Sequence, residues 1–365
     1  MTRLIDLIAG ARPNFMKIAP IIDALKAAEA RGGRLRYRLV HTGQHYDETM
    51  SGSFFAQLGI PEPDINLEVG SGTQAEQTAS IMVRYEKVLM DRPSDACVVV
   101  GDVTSTMACA IAARKLGIPV AHVEGGIRSG DWSMPEEINR VATDSITNWF
   151  FTTSETANEN LRKAGIDDDR IFFVGNTMID TLLKQLPNLR EPSFWNELSL
   201  REGQYFVLTL HRPANVDENL KLLRLLHAIA DGTGGMPVVF PVHPRTARSL
   251  RDIDGEIPGL QYVDPQGYLE FNYLVKHAKA VITDSGGITE ESTVLGVPCL
   301  TLRNNTERPE TVTVGTNELV GTDPAKLGPA LARLMSGKWK KGGIPDKWDG
   351  QTAPRIVAEL ERLLA

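Results

Sequence analysis

The sequence predicts an α/β protein built on two doubly wound parallel sheets. Three observations predict it. Apolar, strand-like runs alternate with helical patterns along the whole chain. Most of these runs are rich in Val, Ile and Leu without polar alternation, as expected of parallel strands covered on both faces. The runs also fall into two sets, and 365 residues are enough for two domains of ordinary size.

The first set places strands at 4–9, 37–41, 96–100, 119–122, 149–152 and 171–174. The second places them at 205–210, 237–241, 260–263, 280–283 and 298–302. Helical periodicity fills the gaps, as at 107–116, 220–231 and 324–335. The stretch 186–201, with Pro187, Pro192 and several polar residues, is the most linker-like. The expected division is 1–174 and 175–352, with a last helix over 353–365 free to complete the first domain. Open α/β sheets bind ligands at the carboxyl ends of their strands. Two such domains facing each other would put the ligand in a cleft between them.

Composition narrows the function. Charged residues are 23% and hydrophobic residues 42%, typical of a soluble globular protein. No apolar run approaches the roughly 20 residues of a membrane span, and the N-terminal stretch MTRLIDLIAGARPN lacks a signal-peptide pattern. Cys97, Cys109 and Cys299 sit in apolar contexts without metal or redox spacing. Reduced core cysteines and a cytoplasmic location are expected. A net charge of −7 argues against nucleic-acid coating. An anionic ligand then needs locally placed cations.

Several strand ends carry such residues. Gly10 to Asn14 follows the first strand, with Pro13 suited to a helix start and Arg12 and Lys17 near that helix N-terminus. No GxGxxG is present there, so no dinucleotide cofactor is expected. Asp102, in Gly101-Asp102-Val103-Thr104, reads equally as an N-cap and as an acid, base or orienting group. Glu124 follows the strand at 119–122 and precedes Gly125-Gly126. A carboxylate held there beside Arg128 and Arg140 suits general acid–base work. Glu136 and Glu137 also fit the ordinary acidic first turn of a helix.

His211-Arg212 and His243 with Arg245 end two strands of the second set, at its expected ligand edge. No histidine pair has metal-site spacing, so no metal is inferred. Asp284-Ser285-Gly286-Gly287 opens a helix after the strand at 280–283. Its exposed N–H groups and the Ser285 hydroxyl suit a diphosphate. Glu290 and Glu291 lie in the next turns, where they can accept from ribose hydroxyls or act as ordinary first-turn acids.

Ten segments together resemble one family: GARPNFMKIAP at 10–20, HTGQHYD at 41–47, GDVTST at 101–106, HVEGGIRSGD at 122–131, PEEINR at 135–140, VGNTMID at 174–180, LHRPANV at 210–216, DPQGYLEF at 264–271, DSGGITEE at 284–291 and TERPET at 306–311. In this order, over nearly the whole chain, they are similar to non-hydrolysing UDP-N-acetylglucosamine 2-epimerases. The resemblance implies the two-domain GT-B fold with UDP-sugar in the cleft, and interconversion of UDP-GlcNAc and UDP-ManNAc by elimination and re-addition of UDP through 2-acetamidoglucal. It implies no cofactor and no metal, and a homodimer.

It also implies roles. Asp102, Glu124 and Glu136 match the family's catalytic carboxylates, and Lys17 and His211 its other important polar residues. Arg12, Ser285, Gly286, Glu291 and Arg308 match residues that contact UDP, with Glu291 at the ribose and Phe271 beside the uracil. Arg140, His243 and Gly287 complete the expected substrate contacts. Three departures stand out: Gln44-His45 is followed by Tyr46-Asp47 where some bacterial members carry an arginine at an allosteric site, HVEGG replaces HVEAG, and LHRPANV replaces an HREN-like segment. The alternatives are a 2-epimerase for UDP-2,3-diacetamido-2,3-dideoxy-glucuronate, a GT-B glycosyltransferase and a non-catalytic UDP-sugar sensor.

Overall fold

A computed structural model describes residues 2–10, 12–43, 57–242, 244–251 and 257–365. The chain forms two compact units, 1–184 with 346–365, and 185–345.

Unit 1 contains, in order, β1 (Arg3–Ala9), α1 (Arg12–Ala30), β2 (Leu35–His41), β3 (Ile65–Asn66), α2 (Gln74–Asp91), β4 (Ala96–Val100), α3 (Thr104–Lys115), β5 (Val120–Val123), α4 (Pro135–Ile146), β6 (Trp149–Thr152), α5 (Glu155–Lys163), β7 (Ile171–Phe173) and α6 (Thr177–Gln185). Its sheet runs β3-β2-β1-β4-β5-β6-β7, and every strand pair is parallel. All five residues of β4 are buried, which explains why Ala-Cys-Val-Val-Val shows no polar alternation. α2 starts on a capping box: the Thr73 hydroxyl accepts from Glu76 N, and the Glu76 carboxylate accepts from Thr73 N. Pro135 opens α4 where its missing N–H costs nothing.

Unit 2 contains β8 (Phe206–Thr209), α7 (Pro213–Val216), α8 (Asn219–Gly232), β9 (Val238–Pro241), α9 (Pro244–Arg251), β10 (Leu260–Val263), α10 (Tyr268–His277), β11 (Ala280–Thr283), α11 (Gly286–Leu295), β12 (Cys299–Thr301), α12 (Pro309–Thr313), β13 (Asn317–Leu319) and α13 (Pro324–Met335). Its sheet order, β10-β9-β8-β11-β12-β13, is again fully parallel. This is the Rossmann order, whose direction reverses between β8 and β11. In unit 1 the same reversal falls between β1 and β4. The two sheets are those expected from the strand runs. β3 and β13, of two and three residues, were not anticipated; neither is long enough to show a period.

The last helix, α14 (Thr352–Leu363), belongs to unit 1. Asp180 of α6 explains the attachment. Its buried carboxylate accepts from Thr352 N at 3.1 Å and Ala353 N at 2.7 Å, satisfying two donors that a helix start leaves open. Trp348 is 2% exposed and its indole donates to Thr153 O at 3.1 Å. Unit 1 thus continues through α6 to Lys184, past Val174. The three cysteines are free and buried. Among the described residues, no helix is long and apolar enough to cross a membrane.

Candidate active site

The carboxyl ends of β1, β4 and β5 gather the polar residues of unit 1. Glu124 directly follows β5, is 4% exposed, and has φ +72°. A non-glycine residue in left-handed backbone is strained and needs neighbours that hold it. Two backbone bonds flank it: Glu124 N donates to Phe151 O at 2.9 Å, and Gly101 N to Val123 O at 3.0 Å. Its carboxylate accepts from Lys17 Nζ, on the first turns of α1, at 2.7 Å. Gly101, φ +72°, ends β4 beside this pair. A Cβ there would lie 3.2 Å from Lys17 Nζ and 3.8 Å from Glu124 Oε2, so glycine both permits the turn and leaves room for the pair. Asn14 ties the two strand ends, accepting from Gly10 N at 3.2 Å and donating to Val100 O at 2.9 Å.

One face of α4 supplies the rest. Residues 137, 140 and 144 are spaced to share it. Arg140 donates to Asp102 Oδ2 through Nε at 3.0 Å and Nη2 at 2.5 Å, and through Nη1 to Glu137 Oε2 at 2.7 Å. Glu137 also accepts from Ser129 N, Ser129 Oγ and Gly130 N. Burial pushes its pKa up, but these donors outweigh burial and hold it below the usual glutamate range. Asp144 pairs with His122 Nδ1 at 2.7 Å and with Arg128 Nη1 at 2.6 Å. Burial opposes its charge too, yet His122 and Arg128 keep its pKa low. The result is a set of carboxylates, each fixed by a cation. Asp102 is the more open one, with its side chain 30% exposed.

Unit 2 presents backbone instead. Asp284, fully buried after β11, accepts from His211 N, Arg212 N and Asn215 Nδ2 at 3.0–3.1 Å. His211 Nδ1 lies 2.8 Å from Asp284 Oδ1, and the imidazole is 41% exposed. Desolvation raises the Asp284 pKa; His211, Arg212 N and Asn215 overcome it and keep the group acidic. Asp284 thereby locks the end of β8 to the end of β11, the switch point of this sheet. Ser285 is the N-cap of α11, but its side chain makes no capping bond. Gly286 and Gly287 follow, half-buried. A Cβ on Gly286 would lie 2.5 Å from Glu307 Oε1, whose carboxylate is held by Arg303 Nη2 at 2.6 Å.

One turn on, Glu290 and Glu291 have different partners. Glu290 pairs with Arg308 Nε at 2.7 Å, both buried. Glu291 accepts from Tyr268 OH at 2.9 Å and Asn272 Nδ2 at 3.4 Å. Burial pushes the Glu291 pKa up to about 7 against those two donors. Phe271 is half-buried on α10, packed against the Tyr205–Val281 core.

The structure therefore brings together Lys17, Asp102, Glu124 and Arg140 at one switch point, with Glu136 half-buried on the first turn of α4. It brings His211, Ser285, Gly286 and Gly287 together at the other. Arg308 and Glu291 lie beyond them around α11. Arg12 opens α1, but its side chain, like His243, Arg245 and the 44–47 segment, lies outside the described residues. Sequence reasoning did not single out Asp144, Asn14 or Asn215 as organisers of these sites. None stands in a spacing that carries chemistry; each acts by bonding to backbone of a distant strand. Among the described residues, no three His, Cys, Asp or Glu side chains are placed to hold a metal ion.

The chain's similarity to known proteins agrees with this geometry. Residues 26–361 match the family model described as UDP-N-acetylglucosamine 2-epimerase. The chain is 42% identical to the UDP-N-acetylglucosamine 2-epimerase of Methanocaldococcus jannaschii, with 98% of each chain covered. It is 36% identical to the UDP-2,3-diacetamido-2,3-dideoxy-D-glucuronate 2-epimerase of Pseudomonas aeruginosa, over 98% of this chain and 99% of the relative. The solved structure of the M. jannaschii UDP-GlcNAc 2-epimerase with UDP-GlcNAc and UDP superposes with a TM-score of 0.86 at 40% identity, covering 98% of this chain and 99% of that one.

Proposed function

The chain belongs to the UDP-N-acetylglucosamine 2-epimerase family, and we propose that it inverts C2 of a UDP-N-acetylhexosamine, interconverting UDP-GlcNAc and UDP-ManNAc. The observation that carries this reading is Glu124: a buried carboxylate in left-handed backbone, held by Lys17 and bordered by the Asp102–Arg140 pair. Strained backbone kept in place by several bonds marks a residue whose position matters more than its comfort.

The reaction needs a proton-transfer group and an anion cradle. A carboxylate of unit 1 removes the C2 proton as the C1–O bond breaks. UDP leaves with that electron pair, and a C1–C2 double bond forms, giving 2-acetamidoglucal. Return of a proton to the opposite face of C2, with the UDP oxygen re-forming the C1–O bond, gives the epimer. Glu124 and Asp102 are the proton-transfer candidates, and Glu136 lies at the start of the same helix as Arg140. Lys17 and Arg140 pair with Glu124 and Asp102, respectively, and orient them. In unit 2, Ser285 and the N–H groups of Gly286 and Gly287 hold the diphosphate, where departing negative charge is favoured. Glu291 accepts from the ribose, Phe271 lies at the uracil, and His211 and Arg308 border the diphosphate.

Substrate labelled with 18O in the bond between C1 and the diphosphate tests the elimination. Scrambling of the label into the non-bridging oxygens, together with epimer formation, is expected. Epimer without scrambling, and with no free UDP and 2-acetamidoglucal released on prolonged incubation, would count against C1–O cleavage. The 36%-identical relative named for the diacetamido glucuronate favours one alternative substrate. Turnover of that sugar nucleotide with UDP-GlcNAc left inert would move the proposal to it.

A further inference from the structure

Glu124 is bracketed by two turns, and a single buried carboxylate reaches both. Asp144 Oδ2 accepts from Gly126 N at 3.0 Å, on the turn just after Glu124. Asp144 Oδ1 faces His122 Nδ1 at 2.7 Å, and His122 Nε2 lies 2.8 Å from Gly101 O, at the end of β4. Gly101 in turn borders the Lys17–Glu124 pair. A carbonyl only accepts, so Nε2 carries hydrogen, and Nδ1 is left to face the Asp144 carboxylate. Arg128 Nη1 closes the cluster on Oδ2 at 2.6 Å. His122 and Asp144 are buried, and their polar atoms face each other, Gly101 O, Gly126 N and Arg128.

The two turns cannot move independently of this cluster. Gly126 has φ +80°, and a Cβ there would lie 2.4 Å from Ala157 O. Its N–H is therefore delivered to Asp144 at a spot fixed by α5. A buried charge this well surrounded is expensive to assemble and is lost sharply when one partner goes. Its bonds run to backbone on both sides of one strained residue, whereas a purely stabilising ion pair has no reason to bridge two strand ends.

We propose that the His122–Asp144 pair, supported by Arg128, is the positioning device of this site: it clamps the Gly101 and Gly126 turns and so holds Glu124 where the C2 proton is transferred. This rests on the epimerase reading above. His122 and Asp144 are positioning residues, acting through Glu124 and Lys17.

The test compares His122→Asn with His122→Gln. The Gln amide nitrogen reaches the place of Nε2 and keeps a donor toward Gly101 O; the Asn amide does not. Displacement of a reacting group by about 1 Å costs on the order of 10²-fold in rate. His122→Asn is expected to lose about that much kcat, with KM and UDP affinity within about twofold of wild type and with His122→Gln recovering much of the loss. Equal kcat per folded molecule in wild type and His122→Asn, or equal losses in both variants, would overturn the clamp. If neither variant folds, Arg128→Met decides: a several-fold fall in kcat at unchanged KM supports it, and no fall overturns it. A wild-type enzyme that leaves C2 of every UDP-sugar offered unexchanged would instead sink the epimerase reading on which the clamp stands.

Discussion

The two units use one topology in opposite ways. Each sheet reverses direction beside its first strand, and each collects its polar groups at that point. In unit 1 the strand ends present side chains, Glu124 and Asp102, held by Lys17 and Arg140. In unit 2 the corresponding ends present backbone. There the buried Asp284 binds the His211 and Arg212 N–H groups and leaves the Ser285-Gly286-Gly287 helix start to face outward. A set of fixed carboxylates suits moving protons, and a helix start without a side-chain cap suits holding an anion. The comparison teaches that the strand order sets where polar groups gather, while the residues that end each strand decide whether they present side chains or backbone.

The largest effect should come from Glu124→Gln, which keeps shape and removes the proposed proton-transfer carboxylate. Turnover should fall about 10³-fold, within the span that positioned proton-transfer groups contribute. UDP affinity, measured by calorimetry, should stay within about twofold because the cradle lies in the other unit. A large loss of UDP binding in this variant would break the division of labour. Ser285→Ala probes the other side. Loss of one hydrogen bond to a charged group, about 1.5–3 kcal/mol, should weaken UDP binding about tenfold or more, and the fraction of C2 exchanged per bound turnover should change little. Unchanged UDP affinity would remove Ser285 from the cradle.

Glu291 gives a pH signature. Its folded pKa of about 7 lies above the ordinary 4.5. The ligand-free fold therefore binds more protons than the unfolded chain between those values, and its stability falls as pH rises through that window. Ribose hydroxyls donating to the carboxylate favour the ionised form, so UDP affinity should rise with pH through about 7. Glu291→Gln should lose that slope while retaining the contribution of UDP's own ionisation, and identical pH profiles would count against a ribose contact. The smallest effect on activity should come from Gly125→Ala. The added methyl meets Phe150 Cδ1 at 2.9 Å, so denaturation should show a loss of about 1–3 kcal/mol from overpacking. kcat should stay within about twofold, since Gly125 does not have a positive φ.

Much of this was legible in the sequence. The Val-rich runs are buried strands because both faces of each sheet are covered, and that covering is what removes polar alternation. The strand-end positions of Glu124 and Ser285 were legible because each comes within two residues of an apolar strand's end, the expected ligand edge. The attachment of α14 was left open because it depends on Asp180, a lone acid in an ordinary helical pattern that finds its N–H partners at Thr352 and Ala353. Asp144 was missed for the same reason. It sits past the PEEINR segment with nothing beside it in sequence to mark it, and its meaning lies in His122 and Gly126, both supplied by β5 and its turn. Long-range satisfaction of a buried charge leaves no local pattern.

Proton NMR of UDP-GlcNAc incubated with the protein and with its Glu124→Gln variant in D2O tests the central claim most directly. The account predicts UDP-ManNAc carrying deuterium at C2 with the wild type, and no exchange with a variant that still binds UDP. UDP-ManNAc that retains its original C2 hydrogen, or full exchange by Glu124→Gln, would contradict it.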